Sequence, residues 1–148
     1  MTIQLDCAKT VETLVSCAEA VIDRLGSHCD TRAIPSLAID LCALIRDELS
    51  EDQNAGLKAA RAYLESGDEE LSDASMAVLA VRVGRPYPAT SSQRVIAIDR
   101  LVWIALNRHG ELSGYTLEFT LSIAEEAGIS PEMMIEPVER MLSAIELG

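Results

Sequence analysis

The fold turns on the stretch Ser92-Gln93-Arg94-Val95-Ile96-Ala97-Ile98-Asp99-Arg100-Leu101-Val102-Trp103-Ile104-Ala105-Leu106-Asn107. At about 100° per residue, Val95, Ile96, Ile98, Leu101, Val102, Trp103, Ile104 and Leu106 cover most of a helical circumference. A helix that is apolar nearly all round is enclosed by others, so residues 93–107 are expected to form the central helix of an all-α bundle. Ser92 suits its N-cap and Gly110 its far end. Asp99 and Arg100 interrupt the run, and residues 95–106 fall well short of the roughly 20 apolar residues that cross a bilayer.

Working outward, apolar residues recur at threes and fours through most of the chain. Ala8, Val11, Leu14, Val15, Ala18, Val21, Ile22 and Leu25 make one stripe, closed by Gly26. Pro35 suits the first turn of a second helix, with Leu37, Ala38, Leu41, Leu44, Ile45 and Leu49 inward. The acidic run Asp47, Glu48, Glu51, Asp52 then falls at that helix's C-terminal end, where it opposes the dipole and predicts a frayed or turned segment. A third helix is expected over about 54–65, with Leu57, Ala60 and Leu64 inward and Gly67 as its cap. The fourth starts at Asp68 with Glu69 and Glu70 in its first turn, and carries Leu71, Ala74, Val78 and Leu79 inward. Pro86 and Pro88 make residues 85–89 a loop. After a break over 110–114 come a sixth helix around 117–127, capped by Gly128, and a seventh from Ser130-Pro131 that Pro137 should kink or restart. The expected architecture is one all-α domain, 1–148, of about seven helices.

Composition sets further bounds. The chain has 148 residues, 24 Asp plus Glu against 12 Lys plus Arg, and a net charge of -12. Apolar residues make up 49% and aromatic ones only 3%, so a core exists and is built from aliphatic side chains. Residues 1–84 carry a net charge of -8, 85–110 of +3 and 111–148 of -7. Arg85, Arg94, Arg100 and Arg108 thus form a basic island, read as pairing with its acidic flanks across helix contacts. The first residues lack a basic leader and include Asp6, so the reading is a cytoplasmic protein that does not enter a membrane.

Little chemistry is written in the residues. Cys7, Cys17, Cys29 and Cys42 have irregular spacing unlike the paired ligands of zinc sites, and are read as reduced thiols with no metal and no disulfide, Cys7, Cys17 and Cys42 as core residues on or beside the inward stripes and Cys29 in a polar connection. His28 beside Cys29 has no second histidine near it, and His109 after Arg108 reads as a cation at a helix C-terminus. No Glu-x-x-His, phosphate-binding glycine loop or Gly-x-Ser-x-Gly occurs, so no enzyme and no cofactor is expected. Residues 117–147 have the outline of a helix-turn-helix, an alternative reading as a transcriptional regulator. That would-be recognition helix offers Glu132, Glu136 and Glu139 with only Arg140, and a reader of DNA must neutralise phosphates, so no nucleic-acid partner is expected. A small-ligand pocket beside the central helix near Trp103 is a further alternative.

The segment 56–83, an Ala59-Ala60-Arg61-Ala62-Tyr63-Leu64-Glu65-Ser66-Gly67-Asp68 helix end followed by an acidic start and a second Ala-rich helix, resembles segments of small helical immunity proteins of bacterial toxin systems. The resemblance implies a protein that neutralises a toxin by binding it, frequently through an acidic face, and brings no site residue with it. From the residues themselves, Asp68, Glu69, Glu70 and Asp73 crowd one helix start with more charge than capping requires. They are the expected contact surface of an immunity or adaptor protein for a basic protein partner, with 47–52 as a second acidic patch.

Overall fold

Ser92 Oγ accepts the Val95 amide at 3.1 Å and starts the central helix, which runs Gln93–Leu106. The structure, a computed structural model, describes residues 5, 9–26, 31–67, 69–83, 86–107 and 111–147. Among them are seven α-helices and no strand: α1 (Val11–Leu25), α2 (Ala33–Ala43), α3 (Glu51–Ser66), α4 (Glu69–Val83), α5 (Gln93–Leu106), α6 (Gly114–Glu126) and α7 (Pro131–Leu147). A 3₁₀ turn, Arg46–Glu48, lies between α2 and α3. The expected all-α bundle is therefore the fold.

As its pattern predicts, α5 packs against α2, α3, α4 and α6. Helices α1 and α7 lie against each other, α1 also against α6, and α7 also against α2 and α6. Ala97, Ile98, Leu101, Val102, Ala105 and Leu106 are buried, within one apolar cluster that all seven helices enter. Enclosure is incomplete, however. Val95 is 51% exposed and Ile96 and Trp103 are half-buried, whereas Asp99, read in the sequence as an interruption, is 2% exposed. Where α3 crosses α5, a Cβ on Gly56 would come within 2.8 Å of Val102 Cγ1, so the contact depends on the missing side chain.

Several helix starts lie earlier than the periodicity placed them, because capping chemistry decides them. Ser50 and Gln53 form a reciprocal capping box, with Gln53 N–H to Ser50 Oγ at 3.2 Å and Ser50 N–H to Gln53 Oε1 at 2.8 Å. Glu51 and Asp52 therefore stand in the first turn of α3, where the dipole favours them, and not at the end of α2. The expected turn after α2 is the 3₁₀ segment, which swings Leu44 outward against expectation. Ser113 and Thr116 form a second box, so Gly114 belongs to α6 and not to the break before it. Helix α7 continues through Pro137, which is buried, and does not restart there.

Candidate functional site

Helix α4 is where sequence pattern and structure part most. Met76, Leu79 and Val83 fall within about 60° of one another on a helical wheel, and Leu71, Val78 and Val81 within about 80° on the other side. Periodicity cannot choose between two such faces. The structure buries Ser72 and Leu79, packs Met76 against the core, and leaves Leu71, Val78 and Val81 exposed at 49–54%. Of the expected inward set Leu71, Ala74, Val78 and Leu79, only Leu79 is inward. Leu79 faces α3, its Cδ1 at an ordinary van der Waals distance of 3.5 Å from where a Cβ on Gly56 would stand. Ser72 Oγ is buried without a hydrogen-bond partner among the described atoms.

Of the expected contact residues, Glu69, Glu70 and Asp73 are all exposed on the first turns of α4, which gathers them on the helix that carries the exposed apolar stripe. Asp68 lies outside the described residues, as do Cys7, His28, Cys29, Arg85, Arg108 and His109. The second acidic patch is divided: Asp47 and Glu48 sit in the 3₁₀ turn, Glu51 and Asp52 at the start of α3.

Beside the stripe, a groove of about 500 Å³ opens between α4, the Pro86–Pro88 loop and α5. Its exposed rim is Val81, Pro86, Pro88 and Val95, and its buried base is Gln53 and Asp99. The base is hydrogen-bonded. Gln53 Nε2 donates to Asp99 Oδ1 at 2.9 Å, and the Tyr87 hydroxyl donates to Asp99 Oδ2 at 2.9 Å. One carboxylate thus ties the start of α3 and the proline loop to α5. Burying a carboxylate is costly unless such donors meet it, which makes the network a constraint on the loop's position. This feature has no separate sequence signal. The groove reaches α5 at Val95 and Asp99, one to two turns before Trp103, where the sequence placed a pocket.

Other candidate groups are accounted for by the fold. Arg94 of the basic island pairs with Glu48 and donates from Nε to the Ala127 carbonyl at 3.1 Å, closing the end of α6, as the pairing reading expects. Arg140 bonds Asp40 at 3.0 Å and Glu136 at 2.9 Å; the hydrogen bond and charge of Asp40 raise its pKa further. The exposed side of α7 is Glu132, Met133, Glu136, Arg140 and Ala144, so its one cation there is already engaged by carboxylates. Cys42 is buried, and desolvation pushes its thiol up to about 12 against a small opposing pull from Arg61. It is a neutral core side chain at physiological pH. Cys17 and Cys42 are free thiols, and among the described residues no three of His, Cys, Asp and Glu converge as metal ligands. No described helix is long and apolar enough to cross a membrane. A second exposed apolar pair, Tyr115 at 78% and Phe119 at 52%, stands on α6. No family model matches the chain, and no curated protein or solved structure matches it.

Proposed function

We propose that the protein is a small acidic interaction module of the cytoplasm, in the manner of an immunity or adaptor protein, which binds a basic protein through α4. One observation carries this reading: Leu71, Val78 and Val81 face solvent on the same helix that presents Glu69, Glu70 and Asp73. Exposed apolar side chains grouped on one helix mark association surfaces, whereas scattered ones need no explanation. The carboxylates then supply the long-range attraction that sets association rate and excludes acidic partners. A net charge of -12 favours a basic partner for the same reason.

The test compares the wild type with Glu69→Gln/Glu70→Gln. Gln is nearly as good a helix former as Glu, so the fold is retained. A protein captured from native lysate and identified by mass spectrometry should be basic, and its association rate with the double variant should be slower and less salt-dependent. An unchanged rate and salt dependence would reduce the acidic start of α4 to solvated charge.

A further inference from the structure

From the outer face of α4 we infer that it closes on a second copy of this chain, as an antiparallel pair about a two-fold axis near Ala77, and that this pair covers the surface when the basic partner proposed above is absent. The pair stands on the face itself, and its competition with the partner rests on the reading above. Between Asp73 and Arg82 the sequence of α4 holds no charged residue, and Ser75 is the one polar side chain in those two turns. A helix apolar all round is normally enclosed by protein on every side. Here one side is enclosed. Leu79 is buried and Met76 packs on the core, whereas Leu71, Ala74, Ala77, Val78, Ala80 and Val81 are all exposed. Val81 also lines the groove, so the face runs on into the rim at Pro86, Pro88 and Val95. Together they form an apolar surface of roughly 500 Å², the size that marks an association site on a small protein.

The layout of the face selects a second copy. Larger side chains stand at its two ends, Leu71 and Val81, with Ala74 and Ala77 between them. Turning α4 end for end about its middle sets Leu71 level with Val81 and its groove, and Ala74 level with Val78, a small side chain against a larger one. Small residues at the crossing let two helix axes approach to about 8 Å. A two-fold dimer requires one patch that complements itself in this way. The apolar face supplies the stability, and the ends set the direction. Glu69 and Glu70 begin the helix and Arg82 follows Val81, so an antiparallel copy brings unlike ends together and a parallel one stacks like on like. Two such faces bury roughly 1,000 Å², the lower end of specific interfaces, which fits a reversible pair of micromolar strength. The net charge of -12 on each copy opposes pairing over long range, and salt screens it within about 8 Å at physiological ionic strength. Added salt should therefore tighten the pair, whereas it weakens capture of a basic partner.

The experiment is sedimentation of the full chain over about 1–500 μM, the range in which an interface of this size associates, at about 50 and 500 mM NaCl. The mass should rise from 16.0 kDa toward twice that value, with the midpoint several-fold lower in concentration at the higher salt. Ala77→Glu and Ala77→Lys, both at an exposed position and both good helix formers, place like charges across the axis. Each variant, checked for native helicity, should associate at least about tenfold more weakly. An equal mixture of the two should restore the pair. A chain that stays monomeric throughout would overturn the inference. So would a dimer indifferent to both variants, or two folded variants whose mixture does not pair. The reading above fails separately. A captured basic protein that splits the pair keeps both, one that binds the pair intact removes α4 as its site and keeps the pair, and a monomeric chain that captures its partner through Glu69 and Glu70 removes the pair alone.

Discussion

Asp99 shows at the scale of one residue what a hydropathy pattern cannot read. A single acid in an apolar helix looks like an interruption, yet its oxygens accept from Gln53 and Tyr87, residues 46 and 12 positions away. Only the folded chain brings those donors together. Tyr87→Phe keeps the ring and removes one donor to the carboxylate, and should cost about 1–2 kcal/mol of unfolding free energy. Urea denaturation measures it, and a loss no greater than that of an exposed substitution would show the bond to be incidental. Cys42, by contrast, was legible as a core thiol because small cysteines on an inward stripe are usually buried. Its raised pKa has a definite sign in stability. The folded state favours the neutral thiol, so the contribution is complete below the ordinary value of 9.0 and is lost as pH rises toward about 12. At pH 10, about one unit above the unfolded value, the loss is about 1.4 kcal/mol. Wild type should therefore lose that much more stability than Cys42→Ala between pH 8 and pH 10, and parallel losses in the two proteins would contradict the assignment.

At the scale of the element, helix number and order are legible because the apolar periodicity recurs along the chain and glycines such as Gly26 and Gly67 close some of the helices, and Ile98 and Val102 sit in the core as placed. Helix starts are less legible, since Ser50 with Gln53 and Ser113 with Thr116 outweigh the apolar register in fixing α3 and α6. The face of α4 is not legible at all. Two apolar faces compete, and the choice is made only by the packing of α4 on α3 and α5. The candidate surface was half legible for the same reason: its carboxylates stand out in the sequence, whereas Leu71 and Val78 read as core. Gly56 carries the consequence for packing. Alanine is the better helix former by about 1 kcal/mol, yet a Cβ at this position would press on Val102 Cγ1 at 2.8 Å. Overpacking of this kind costs about 1–3 kcal/mol, so Gly56→Ala should be net destabilising despite its propensity. Val102→Ala alone should also destabilise, by roughly 2 kcal/mol through the cavity it leaves. Together the two changes should lose less than the sum of their separate effects, since each fills or vacates the same space. A strictly additive double-mutant cycle would mean that α3 and α5 do not meet there.

Across the whole molecule, charge is plain in the sequence but its layout is not, because Glu51 and Asp52 reach the far end of α4 only through antiparallel pairing of α3 and α4. Two electrostatic effects then oppose each other in stability. Ion pairs such as Arg94 with Glu48 and Arg140 with Asp40 favour the folded state and weaken with added salt. Self-repulsion at a net charge of -12 disfavours the compact state, and salt relieves it. The pairs are partly exposed, with side chains 32–55% accessible, and such pairs contribute only about 0–1 kcal/mol each. Repulsion is spread over 24 acidic groups against 12 basic ones, so it should dominate. Raising NaCl from low to physiological concentration should therefore increase Tm, by about 2–4 °C for each 1 kcal/mol of repulsion relieved in a chain of this size. A Tm that falls as salt is added would mean that the ion pairs outweigh the repulsion and that the acidic surface is neutralised within the folded chain. That result would also weaken the case for a basic partner, because the field that should steer such a partner is the same field that destabilises the molecule alone.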